Sequence, residues 1–196
     1  MAVEASPREK VSTSLVYVAV EASPREKVST SLDLSTQKAL LVRAFLFWKL
    51  VMELRRIKEA SYQRLSAERP QVLTKNRGYG VLYFRHGEMI FALPLRSNLN
   101  HPNGLRTIFD KRAGQWNGVD YSKALIVDPD DLLPEAFKPK NSAEYDKIKA
   151  NSEKIKREFF EYLAEYIVSI REGKELDRKF HFTTLQYFHR ELGLNL

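Results

Sequence analysis

The chain has 196 residues, 32 Lys and Arg against 25 Asp and Glu, a formal charge of +7, and no cysteine. That length suits one domain with a short appendage and is enough to bury a core. The missing cysteines exclude disulfides, thiolate zinc sites and Cys nucleophiles and fit a reducing cytoplasm, and the moderate basic excess favours an anionic partner such as nucleic acid. No stretch reads as a membrane span. Ala39–Met52, ALLVRAFLFWKLVM, is the most apolar run, but Arg43 and Lys49 interrupt it and it is shorter than the roughly 18 residues a span needs. A polar lead also sets it too far from the N-terminus for an ordinary signal peptide.

The first fifty residues do not pattern as a domain. Ala2–Leu15, AVEASPREKVSTSL, recurs verbatim as Ala19–Leu32. Each copy is polar, and two copies are fewer than a solenoid needs to bury a face. Identity without drift points to constraint or recent duplication in the nucleic acid. Lys38-Ala39-Leu40 and Arg43-Ala44-Phe45 can be encoded as reverse-complementary arms, AAA-GCC-CT and AGG-GCT-TTT, with a T-rich run continuing through Phe47. That is the shape of an intrinsic terminator. Residues 1–51 are therefore expected to be translated tandem repeats and terminator, disordered or ahead of a natural start at Met52. The competing expectation is a real helix over Ala39–Met52 behind a disordered tail.

From Met52 the pattern predicts a strand at Met52–Ile57 and a helix at Lys58–Arg69 ending before Pro70. A polar, Gly-rich turn over Thr74–Gly80 leads to a strand at Val81–Arg85. His86-Gly87 is a hairpin turn with Glu88–Leu95 returning. Leu105–Phe109 is a short strand after Asn103-Gly104, Ala113–Gly118 a loop, and Tyr121–Val127 an apolar strand. Asp128-Pro129-Asp130-Asp131 reads as the acidic start of a short helix, Asp130–Ala136, rather than a metal cluster. Asn141–Ile170 is a long helix with capping-box spacing at Asn141 and Glu144 and a stop at Gly173. Ile148, Ile155, Phe159, Leu163, Tyr166 and Ile170 form its apolar face, and Lys147, Lys149, Lys154, Lys156 and Arg157 crowd the remainder. A last helix is predicted at Thr183–Leu192. Strands ahead of a long helix, without alternation, predict an α+β domain on an antiparallel sheet.

The chemistry concentrates in Phe91–Gly104, FALPLRSNLNHPNG, where an apolar run gives way to Arg96, Ser97, Asn98, Asn100 and His101. A cation, a hydroxyl, amides and an imidazole beside a strand suit phosphate chemistry. The same residues also suit a plain polar turn. His86, His181 and His189 read as exposed or structural.

Three stretches in order resemble the toxins of type III toxin–antitoxin systems, the ToxN/AbiQ/TenpN-like endoribonucleases. They are Gly80-Val81 through Ala92-Leu93-Pro94-Leu95-Arg96-Ser97, then Ala150-Asn151-Ser152-Glu153-Lys154-Ile155, then Phe182-Thr183-x-Leu185 with Arg190 and Gly193. Gly118–Ile126 and Lys75–Gly80 look closest to the TenpN branch. The resemblance implies a compact, strongly twisted antiparallel sheet flanked by helices in residues 52–196. It implies an endoribonuclease without metal or cofactor, cutting cellular or phage RNA by 2′-hydroxyl attack to leave a 2′,3′-cyclic phosphate. It also implies inhibition by an antitoxin RNA from upstream tandem repeats, held in a higher-order toxin–RNA assembly. Ser97 takes the place of the active Ser, Arg96 and Lys75 would hold phosphate charge, and His101 would act as acid or base. Tyr62, Arg77, Asn98, Asn100, Lys123 and Lys154 would contact RNA. The chain departs from the family at Arg96, where Ser or Thr is usual, and at Asn98-Leu99, where the family has Pro-Lys. Two rival expectations stand beside this one: a non-catalytic RNA-binding module and a generic α+β interaction protein.

Overall fold

The computed structural model describes residues 33–46, 52–72 and 80–194, which fall in one unit. Six strands among them form one antiparallel sheet: β1 Glu53–Arg56, β2 Gly80–His86, β3 Met89–Ser97, β4 Gly104–Asp110, β5 Gln115–Asp120 and β6 Leu125–Val127. The order is β1-β2-β3-β5-β4, with β6 also on β3. Helices α1 Leu34–Leu46, α2 Glu59–Glu68, α3 Ser142–Ala150 and α4 Ser152–Arg171 complete the α+β fold.

Strand β3 is the hub. Met89–Pro94 pair with β2, while β6 pairs at Ile90–Ala92 and β5 at Leu95–Ser97. Pro94 has no N–H to donate, and it falls in the gap between those two partners, where no ladder bond is needed on that side. The expected loop from Arg96 therefore starts later: Arg96 and Ser97 are still strand.

The expected apolar stripe of the long helix is buried: Ile148, Ile155, Phe159, Leu163 and Tyr166 are each at most 2% exposed. Phe159 and Phe160 pack against Phe84 and Phe91 of the central strands at centroid distances of 5.3–6.1 Å. Offset and edge-on aromatic packing of this kind adds to the area term. The predicted single helix is in fact two. Asn151 breaks it, its side-chain amide donating to Lys147 O at 2.8 Å, the local bonding that makes Asn a poor interior helix residue. Asn141 caps α3 by accepting from the Ala143 N–H, but Glu144 turns away to accept from Thr107 of β4 at 2.9 Å. That buried bond sits where a bulge interrupts the β4–β5 ladder between Arg106 and Phe109. Lys156, expected on the solvated face, is buried.

Other boundaries also moved. The predicted loop 113–118 is mostly strand β5, and the predicted strand 121–127 begins as a 3-10 turn, Tyr121–Lys123, before β6. Asp128–Asp131 does cap: the Asp128 N–H donates to Asp131 Oδ2 at 3.1 Å, although only a 3-10 turn at Pro129–Asp131 follows. The predicted final helix is a 3-10 turn, Thr184–Tyr187, capped by the Thr183 hydroxyl, which accepts from the Leu185 N–H, and tied to the sheet by Thr184, which donates to Ala124 O. Helix α1 lies within the 1–51 segment; Leu41 packs on the core and Lys38 pairs with Glu165 of α4.

Two imidazoles tie pH to stability. His86 packs edge-on to Phe160 at 5.5 Å and His189 accepts or donates at 2.6 Å to the Tyr166 hydroxyl. Burial holds both below the ordinary histidine value, with Lys156 adding to the effect at His86. The unfolded chain then binds more protons below about pH 6.5, so stability falls as pH drops through that value. Thermal unfolding scans should show a lower Tm at pH 5 than at pH 7, and His189→Gln should lessen the difference.

Candidate active site

The residues around Arg96 converge on a carboxylate that sequence patterning passed over. Asp120 closes β5 and is fully buried. Its Oδ2 accepts from Arg96 Nη1 at 2.8 Å and faces His101 Nε2 at 3.3 Å. Its Oδ1 accepts from the Ser122 N–H at 3.0 Å and the Ser122 hydroxyl at 2.7 Å. Burial alone would push this carboxyl up; the bonds from His101, Ser122 and Arg96 outweigh it and hold the group below its ordinary range.

Local folding explains how His101 reaches it. Asn98 takes the left-handed region, φ 67°, which turns the chain as it leaves β3. Leu99 N–H then donates to Trp116 O at 2.7 Å and Tyr121 N–H to Asn103 O at 3.0 Å, strapping residues 98–103 back along β5. Gly118 permits this: a Cβ there would lie 2.5 Å from Leu99 Cδ2 and 2.3 Å from Leu105 O. Leu99 is buried, leaving Asn98 and Asn100 exposed on either side.

With Asp120 ionised, the His101 nitrogen facing it carries the proton. His101 Nδ1 is buried and has no hydrogen-bond partner. Of its two ring nitrogens, Nε2 is the one with a partner, Asp120. Ser97 is exposed at the end of β3 opposite Asn117. Strand alternation turns its side chain to the face away from Arg96, so the two are neighbours in sequence but not on one face.

Beside His101 a groove of 630 Å³ runs past Arg106, Tyr121, Lys154, Tyr162 and Lys179. Its cations are offset by Glu158, which lies 3.7 Å from Lys154, and by Glu165, which pairs with Lys179. The Tyr121 hydroxyl donates to Glu158 at 2.9 Å, and burial followed by that carboxylate pushes it well up.

The other expected contacts are dispersed. Lys154 is exposed on the groove. Lys123 is turned inward: its ammonium donates to Phe182 O at 2.6 Å, and burial holds it below the ordinary lysine range, with Asp120 opposing and Arg96 adding to the shift. Tyr62, on α2, is buried in the core, which leaves no ring face for a base. Lys75 and Arg77 lie outside the described residues. Asp120 and Ser122 were missed; the available signal was an Asp-x-Ser step at the head of an apolar run, the spacing of an Asx turn. Among the described residues no group of three or more His, Asp or Glu converges as a metal site, and no helix is long and apolar enough to cross a membrane.

No protein-family model matches the chain, and no curated protein matches it. Among solved structures it is similar to AbiQ, described as a lactococcal anti-phage endoribonuclease belonging to the type-III toxin-antitoxin system. The likeness has 13% sequence identity and a TM-score of 0.49, covering 74% of this chain and 97% of AbiQ.

Proposed function

We propose that the chain is an endoribonuclease toxin of the type III kind, acting in the cytoplasm in phage defence. The observation that carries this reading is the convergence of Arg96 and His101 on the buried Asp120 carboxylate at the mouth of a groove. Cleavage by a ribose 2′-hydroxyl needs a proton shuttle and a cation at the phosphate, and needs no metal. Arg96 neutralises charge on the pentavalent phosphate, and His101, its Nε2 turned from Asp120 to the RNA, moves the proton. Ser97, Asn98 and Asn100 contact the RNA backbone from the exposed rim, as does Lys154, and Lys75 and Arg77 add to them. The motifs at Lys75–Gly80 and Gly118–Ile126 resemble the TenpN branch most.

The antitoxin, on this reading, is a structured RNA transcribed from the repeats that residues 2–47 reflect, which binds the toxin in a multi-copy assembly. On that reading residues 52–196 carry the catalytic domain, with α1 packed on it through Leu41 and Lys38. A second reading, a non-catalytic RNA-binding module, is favoured by the sealed His101 Nδ1.

Induced expression of the full chain in a bacterial host tests both. The nuclease reading expects growth arrest, relief by a co-transcribed copy of the repeats, and no arrest with Arg96→Ala/His101→Ala although that variant still binds RNA. Unchanged growth with intact cellular RNA defeats it in favour of the binding module. Arrest that the repeat transcript leaves untouched removes the antitoxin.

A further inference from the structure

The β4–β5 hairpin carries side chains that the site above does not use. Phe109 and Trp116 are cross-strand partners, their rings 5.4 Å apart and inclined by 60°. They remain 47% and 37% exposed, whereas most large apolar side chains of the described residues are buried. The turn that follows is built rather than loose. Asp110 Oδ1 accepts from the N–H of Arg112 at 2.9 Å and of Ala113 at 3.2 Å, and Gly114 takes φ 64°. Lys111 and Arg112 are left exposed at the tip, and Arg106 is exposed on β4 behind the aromatic pair.

Trp116 and Asp120 stand four residues apart on β5. A period of two puts them on one face, about 13 Å apart. Between them Gly118 is covered by Leu99, so the aromatic pair borders the 98–103 strap that carries His101. Cations on both sides select a polyanion over a neutral sugar or an apolar peptide. Aromatic faces add base stacking, which is open to unpaired bases and hidden in a duplex.

We propose that Phe109 and Trp116 form a base-stacking subsite for single-stranded RNA, leading the strand over the 98–103 strap toward Arg96 and His101. The destination rests on the nuclease reading; the stacking requires only an unpaired RNA strand. Lys111 and Arg112 hold the backbone where it enters.

The test uses the full chain with His101→Ala, so that RNA is not consumed, and with Trp48→Phe, so that Trp116 is the sole tryptophan. A mixed-sequence single-stranded oligoribonucleotide should quench Trp116 emission, and its duplex form should not. In the same His101→Ala background, labelled-oligonucleotide anisotropy should show that Trp116→Ala or Phe109→Ala weakens binding about tenfold or more, while Trp116→Tyr retains it. Absence of quenching, or unchanged affinity in the alanine variants, overturns the subsite. Trp116→Ala alone should also slow cutting of a single-stranded substrate. If it cuts as fast as the unmodified chain, the subsite falls and the nuclease stands. If quenching occurs and the unmodified chain cuts no RNA, the nuclease falls and the subsite stands.

Discussion

Asp120→Ala is expected to disable the site and loosen the fold together. The carboxylate is fully buried and takes hydrogen bonds from Arg96, from the Ser122 backbone and hydroxyl, and from His101. Alanine leaves a partly buried guanidinium and a buried hydroxyl without their acceptor. Breaking a buried pair from one side costs about 3–5 kcal/mol, and the 24% exposure of the Arg96 side chain places this one near about 3 kcal/mol. At this chain length that corresponds to a Tm lower by about 6–12 °C. Asp120→Asn keeps the shape and can still accept from Ser122, so it should lose less stability while losing the charge that orients His101. On the proposed reading its cleavage rate falls by about 10²–10⁴. The carboxyl is held below its ordinary range, so its contribution is present above about pH 4 and is lost as pH falls through the folded value. Acid unfolding of Asp120→Asn should therefore be less steep than that of the unmodified chain.

Phe159→Ala is the substitution expected to cost the fold most. The ring is fully buried and meets Phe84 at 5.6 Å, Phe91 at 5.3 Å, Phe160 at 5.6 Å and Tyr121 at 6.2 Å. These neighbours come from β2, β3, α4 and the turn that follows Asp120, so no single element can move in to fill the space. Truncations of this size cost about 3–5 kcal/mol, a Tm loss of about 6–20 °C. Phe109→Ala removes the same atoms from an exposed ring and should change stability by less than about 1 kcal/mol. Paired thermal melts of the two variants measure the contrast, and equal losses would contradict the burial of the α4 face.

The contrast between these rings also marks what was legible before the fold was known. Phe159 announced itself through helical spacing with Ile155 and Leu163, because burial along a helix leaves a periodic trace. The β2–β3 hairpin was legible from His86-Gly87 and the apolar runs beside it. Strand β5 left too short a trace: Gln115, Trp116 and Asn117 alternate in polarity for only three residues between Gly114 and Gly118, and their strand conformation comes from pairing with β3 on one side and β4 on the other. Reading that segment as a loop also hid Asp120, since a residue at a loop's end has no evident partners. Local chemistry likewise overrode periodicity at Asn151, where a side-chain bond to Lys147 O ends one helix and starts another. Arg96, Ser97 and His101 were singled out from side-chain type and from the family resemblance. Their real relation, with Arg96 and His101 on one carboxylate and Ser97 on the other face, is a tertiary fact that spacing cannot carry. Tyr62 and Lys123 show the same limit, because a polar group suited to RNA is equally suited to a satisfied place in the interior.

The central claim is that Arg96 and His101, organised by Asp120, cut RNA without a metal. End-group analysis of single-stranded RNA incubated with the full chain in excess chelator tests it most directly. The account predicts fragments ending in 2′,3′-cyclic phosphate from the unmodified chain and none from Arg96→Ala/His101→Ala. Intact RNA from the unmodified chain, or the same fragments from both proteins, would contradict it.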